Sequence, residues 1–69
     1  MRIFVRNADM VEEIGSSLER GGDGDVGFII IKDNGAREIE VSLPHKYRVT
    51  PQVAGAMKAI RGVVDVELV

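Results

Sequence analysis

The sequence predicts an α+β fold in which one four-stranded sheet carries two helices, in the order β-α-β-β-α-β. Three observations predict it. Apolar residues recur at helical spacing over 10–18 and 53–60, and each stretch lies between β-rich runs. Asn34-Gly35 is a strong hairpin signal between the two middle runs. Glycines stand after both helical stretches, at Gly21-Gly22 and at Gly62. Two split βαβ units of this length suggest a ferredoxin-like sandwich. Right-handed crossovers then predict an antiparallel sheet of order 4-1-3-2, counting strands along the chain, with both helices on one face.

The first strand is Ile3-Phe4-Val5, flanked by Arg2 and Arg6. Asn7 or Asp9 can cap the helix that follows. Its stripe is Met10, Val11, Ile14 and Leu18; Glu12 and Glu13 suit its positive end and Arg20 its negative end. Gly15 costs this helix roughly 1 kcal/mol against Ala, which a close approach to the sheet would explain. The second strand spans 26–31. A two-residue Asn34-Gly35 turn pairs Ile30 with Ile39, Phe28 with Val41 and Val26 with Leu43, all apolar and on one face. The other face pairs Ile31 with Glu38 and Ile29 with Glu40. Thr50 is a good N-cap and Pro51 a good first helical residue. Val53, Ala54, Met57 and Ile60 form the second buried stripe. Val64, Val66 and Leu68 alternate with Asp65 and Glu67 in the last strand, which runs to Val69. The expected core is Ile3, Val5, Ile14, Leu18, Phe28, Ile30, Ile39, Val41, Val53, Met57, Ile60, Val64 and Val66.

With 69 residues this is one small domain, and its core is thin. There is no Cys, which removes disulfides and thiol chemistry. A chain 45% hydrophobic and 29% charged is ordinary for a folded domain. Net charge is −2, without the basic excess of a nucleic-acid binder. No apolar run reaches membrane-spanning length and the N-terminus lacks a signal-peptide shape, so a cytoplasmic, non-membrane protein is expected.

In the expected order, the helix-free face carries Arg2, Phe4 and Arg6 on a central strand. Asp65 and Glu67 stand on one side of them and Glu38 and Glu40 on the other, as a charge ladder. Ile29 and Ile31 lie on the edge strand of the same face. Solvated ion pairs worth about 0–1 kcal/mol each would account for the charges. The sharper reading makes Phe4, Ile29 and Ile31 a docking patch beside an open edge.

Sites for chemistry are not found. His45 is the single His and has no second ligand near it in sequence. The Gly21-Gly22-Asp23-Gly24 cluster lacks a following Lys-Ser/Thr and opens no helix, so it is read as a flexible turn and not a phosphate loop. No triad or acid/base pair is recognisable. Ile3-Phe4-Val5-Arg6-Asn7 resembles the first-strand motif of RNA-recognition domains. Those domains also need stacking aromatics on the third strand, where this chain has Arg37-Glu38-Ile39-Glu40-Val41-Ser42. Direct nucleic-acid binding is therefore not expected. Pro44, His45, Lys46, Tyr47 and Arg48 form the one concentrated basic and aromatic segment. Tyr47 and Val49 can plug the core edge while Lys46 and Arg48 stay wet; alternatively the segment is a contact surface, since loops carry recognition and Tyr and Arg anchor interfaces.

The run from Glu40 through Leu43-Pro44-His45-Lys46-Tyr47-Arg48-Val49-Thr50-Pro51-Gln52, with Gly62-Val63-Val64-Asp65-Val66-Glu67-Leu68-Val69, resembles the extreme C-terminus of the alpha (polymerase) subunit of bacterial DNA polymerase III, particularly its alphaproteobacterial form. The likeness is densest over 37–69 and continues more loosely through Arg2-Ile3-Phe4-Val5. No single position is diagnostic; order, spacing and coincidence with the chain end carry it together. The resemblance implies that residues 1–69 are one C-terminal interaction domain, a fragment of a larger replicase. The parent would be a DNA-directed DNA polymerase, a nucleotidyltransferase. In that family the C-terminal region is associated with binding the tau subunit of the clamp loader, beside an OB-type domain implicated in single-stranded DNA binding. The family's magnesium-binding palm aspartates, histidine-rich metal site and Gln/Leu/Phe-type clamp peptide are absent here. The fragment is thus expected to hold no catalytic, cofactor or metal residue, and to tether the polymerase through tau or neighbouring polymerase domains. The expected interface is Phe4, Ile29, Ile31, Pro44, His45, Lys46, Tyr47 and Arg48. The alternative is a small-ligand regulatory (ACT-like) or dimerisation domain, with a ligand pocket at a helix–strand junction.

Overall fold

Phe28-Ile29-Ile30-Ile31 is the longest unbroken apolar run of large residues in the chain, and it decides the architecture. Such a run suits a strand with neighbours on both sides better than an edge strand. In the computed structural model, which describes residues 1–68, it occupies the interior of the sheet. Val69, the end of the expected last strand, lies outside the described residues. The elements are β1 (Arg2–Val5), α1 (Asp9–Ser17), β2 (Arg20–Gly24), β3 (Gly27–Lys32), β4 (Arg37–Ser42), α2 (Pro51–Lys58) and β5 (Val63–Glu67). The α+β class therefore holds.

The sheet order is β4-β3-β1-β5. β1 runs parallel to β3, while the β3–β4 and β1–β5 pairs are antiparallel. The expected all-antiparallel 4-1-3-2 order is not adopted. The two arms of the hairpin have exchanged places relative to it. The apolar arm β3 lies beside β1, and the charged arm β4 takes the edge. The exchange follows from composition: β4 carries Glu38 and Glu40 on one face, and an edge accommodates charge better than the middle of a sheet does. β2 was not anticipated and stands outside the four-stranded sheet.

The hairpin register is the expected one. Phe28 faces Val41, Ile29 faces Glu40, Ile30 faces Ile39 and Ile31 faces Glu38. The Leu43 amide donates to the Val26 carbonyl at 3.0 Å, which extends the pairing. Asn34 (φ 56, ψ 35) and Gly35 (φ 92) form the turn, closed by the Ala36 amide donating to the Asp33 carbonyl at 3.1 Å. Positive φ at both central residues is what a type I′ turn requires.

The core lies on one face of the sheet. Ile3, Val5 and Phe28 are fully buried there and join Ile30 and Val66. Ile14 and Leu18 from the first helical stretch and Ala54 and Met57 from α2 pack into the same cluster, so both helices cover this one face. Two expected core residues are exposed. Ile39 is 39% accessible because β4 is an edge strand. Val64 is 45% accessible because a bulge shifts the register: Phe4 faces Asp65 but Val5 faces Val63. The extra residue breaks the alternation, and Val63 takes the inward place. Val41, Val53 and Ile60 are half-buried against the cluster.

Helix ends follow local chemistry. The Asn7 Oδ1 accepts from the Asp9 amide at 2.9 Å. α1 stops at Ser17, ahead of the glycines, where Leu18 turns extended (φ −79, ψ 143) yet stays buried. In α2 the Thr50 Oγ1 accepts from the Val53 amide at 3.1 Å, with Pro51 in the first turn. A methyl at Gly15 would sit 3.7 Å from Leu43 Cδ1, an ordinary contact, so no close approach demands that glycine.

Candidate functional site: an open sheet face and a strapped connector

Among the described residues no helix lies over the second face of the sheet. The register assigns it Arg2 and Phe4 from β1, Gly27, Ile29 and Ile31 from β3, Glu38, Glu40 and Ser42 from β4, and Asp65 and Glu67 from β5. One row reads Glu40-Ile29-Phe4-Asp65 across all four strands; the next reads Ser42-Gly27-Arg2-Glu67. In the first row apolar residues occupy the middle and carboxylates the margins; in the second Arg2 stands in the middle and only the β5 margin is acidic. The expected ladder had Glu38 and Glu40 beside Arg2 and Arg6. Instead β3 separates them, and none of the four ion pairs among the described residues involves Arg2 or Arg6. Asp65 instead pairs with Lys58 at 3.8 Å and bonds the Val66 amide at 2.8 Å.

Ile29 was expected to be exposed on an edge strand. It is only 7% accessible and yet is not part of the main core cluster. Its position explains this: Phe4 and Glu40 flank it in register on either side. Phe4 and Ile31 are half-buried. The apolar surface of this face is thus carried mainly by Phe4 and Ile31, with Ile29 as its floor.

Beyond Leu43 the connector does not extend the sheet. Tyr47 makes bridges to Arg20 and Gly24 of β2. The Arg48 amide donates to the Glu19 carbonyl at 2.8 Å and the Gly21 amide to the Lys46 carbonyl at 3.4 Å. Gly22 and Gly24 give the connector its room: a methyl at Gly22 would lie 2.5 Å from Arg48 Cα, and one at Gly24 2.5 Å from Val49 Cγ2. The supposed flexible turn is therefore a track under the connector. The signal was present in sequence as glycines two apart, opposite Tyr47 and Val49 two apart.

Tyr47 is 4% accessible and belongs to the core cluster, so it plugs the core and offers no side chain to a partner. Pro44, His45, Lys46 and Arg48 are exposed. Lys46 pairs with Asp25, and Arg48 with Glu19 at 3.8 Å. The Lys46 ammonium, through its hydrogen bond and its charge, holds the Asp25 carboxyl below its ordinary value. These basic groups are bound back onto the β2 side of the chain and are not gathered with Phe4 and Ile31.

Two clefts among the described residues are notable. One of about 320 Å³ lies where Gly27 leaves a gap between Arg2, Glu40 and Ser42. The other, about 230 Å³, lies between Met10, Glu13 and Ile14 of α1 and Ile60 and Arg61 beyond α2. No group of three His, Cys, Asp or Glu among the described residues is placed to hold a metal, and no helix is long and apolar enough to cross a membrane. Comparison with protein-family models, curated proteins and solved structures finds no match to this chain.

Proposed function

We propose that this chain is a non-catalytic interaction module of a replicative DNA polymerase III alpha subunit, holding the polymerase in the replisome through contact with the tau subunit of the clamp loader. Two kinds of support stand behind the reading. The Leu43-Pro44-x-x-Tyr47-Arg48-Val49-x-Pro51 and Gly62–67 segments resemble that subunit's C-terminus. The observation that carries an interaction role is the helix-free face, where Phe4 and Ile31 remain half-exposed over Ile29. Exposed apolar residues grouped on one face mark contact sites more often than isolated ones do. Pro44, His45, Lys46 and Arg48 are a secondary candidate surface; Tyr47 supports that loop from inside.

Nucleic acid is a poor ligand for the sheet face. RNA-recognition domains have the 4-1-3-2 strand order, which this chain does not adopt. Phe4 is the one aromatic on the face, and carboxylates line its margins. Calorimetric titration of the 69-residue chain with tau, with single-stranded DNA as a parallel ligand, tests the reading. Micromolar or tighter binding to tau and none to DNA is expected. Binding to DNA alone, or to neither, overturns it.

A further inference from the structure

We infer that the open sheet face receives a basic amphipathic helix of a partner protein, lying along the strands with its apolar stripe on Phe4 and Ile31, above the buried Ile29. This gives the partner of the tether proposed above its chemistry, and rests on that reading. The dimensions fit. The acidic margins, β4 and β5, are three strand spacings apart, about 14 Å. A helix with its side chains is about 10–12 Å across, so it fills the space between them and carries its flanking residues over both.

Charge selects the kind of helix. Glu38 and Glu40 line one margin and Asp65 and Glu67 the other, against Arg2 on the midline and Arg6 just past the end of β1. Lys58 already engages Asp65, so Glu38 and Glu40 form the stronger anionic margin. Lysine or arginine flanking an apolar stripe complements this face; acidic flanks are repelled. A second copy of the same face would bring carboxylates toward carboxylates at the margins, and an anionic lipid surface would meet the same repulsion.

The test uses two synthetic helix-forming peptides of about 14 residues, long enough to run about 21 Å. Both have the same leucine stripe; one is flanked by lysine and the other by glutamate. Amide chemical-shift changes are followed in the 69-residue chain at low and high salt. The expected result is salt-sensitive binding of the lysine peptide alone, with shifts centred on Phe4, Ile31, Glu38 and Glu40. Glu38→Lys with Glu40→Lys, both exposed and with the fold checked by circular dichroism, should weaken it roughly tenfold or more. Equal binding of both peptides, no binding of either, shifts confined to the helices, or dimerisation through this face by sedimentation overturns the inference. Tau binding that survives the double reversal would remove the helix-on-sheet contact and leave the tether standing. Peptide binding without tau binding would do the reverse.

Discussion

Gly22 and Tyr47 meet backbone to backbone: a methyl at Gly22 would lie 2.6 Å from the Tyr47 carbonyl carbon. Real side chains do not approach that closely, and backbone cannot swing aside as a side-chain tip can. The contact links the glycine-rich β2 to the connector, and it fixes Tyr47 in the core at 4% accessibility. A segment whose composition suggests flexibility is thus the floor on which the connector rests. The connector's exposed residues hold their positions because of it.

Gly22→Ala should therefore destabilise the domain by about 1–3 kcal/mol, the usual cost of overpacking. For a chain this size that is a fall in Tm of about 4–8 °C per kcal/mol. Thermal unfolding by circular dichroism measures it. An unchanged Tm would mean that β2 and the connector are not packed as described.

The opposite outcome is expected at Gly55. It is an exposed position inside α2, and a methyl there meets nothing within 4 Å. Gly55→Ala removes backbone freedom from the unfolded chain without a clash, and should stabilise by about 0.5–1 kcal/mol. The two substitutions add the same methyl, so chemical denaturation of both separates steric contact from backbone entropy.

Loss of the α2 cap is the third case. Thr50→Ala leaves the Val53 amide without its side-chain acceptor and should cost about 1 kcal/mol. Thr50→Asn keeps an acceptor and should recover most of the loss in the same urea titration.

Asp25 gives the pH dependence. Its folded pKa is lowered, first by the hydrogen bond from Lys46 and then by that residue's charge. A lowered carboxyl pKa adds stability above 3.8, its ordinary value, and that stability is lost as pH falls through the folded pKa. Lys46→Gln should thus narrow the stability difference between neutral and acid pH. Because both side chains are exposed, the effect is small and screened by salt. Carboxyl NMR gives the sharper readout: the Asp25 midpoint should rise toward 3.8 in the variant, and an unmoved midpoint would remove the pairing.

Legibility from sequence differed by level. The hairpin was readable to the residue because the Asn34-Gly35 turn fixes the pairing and the β4 arm alternates, so that a one-residue slip would turn its apolar residues to the wrong face. The Thr50-Pro51 start was readable because capping is local. Strand order departs from the one derived from the general handedness rule because composition outweighs it here. Four consecutive apolar residues in 28–31, against charges at Arg37, Glu38 and Glu40, already pointed to the inner and the outer arm. The bulge at Val64 had no such signal, because Val63 and Val64 are chemically identical and the choice between them is made by β1. The candidate interface divided for the same reasons: Phe4 and Ile31 are half-exposed, whereas the misplaced strand hid the burial of Ile29, and Tyr47 turned inward.

The strand order makes a prediction that sets Ile29 against Ile39. In a 4-1-3-2 sheet Ile29 would lie on an edge strand and Ile39 inside the core. In the order β4-β3-β1-β5 the two exchange roles, at 7% and 39% accessibility. Ile29→Ala should then cost about 2–3 kcal/mol, near the low end for a buried isoleucine because no helix covers it. Ile39→Ala should cost under about 1 kcal/mol, as surface changes do. Guanidinium denaturation of the two single variants decides between the orders. A larger loss at Ile39 would return β4 to the interior, and with it would go the flanking of Ile29 by Phe4 and Glu40 on which the open face depends. Ile29→Glu is for the same reason a poor probe of partner binding, since it tests folding first; Ile31→Glu, on a half-buried residue, probes the surface itself.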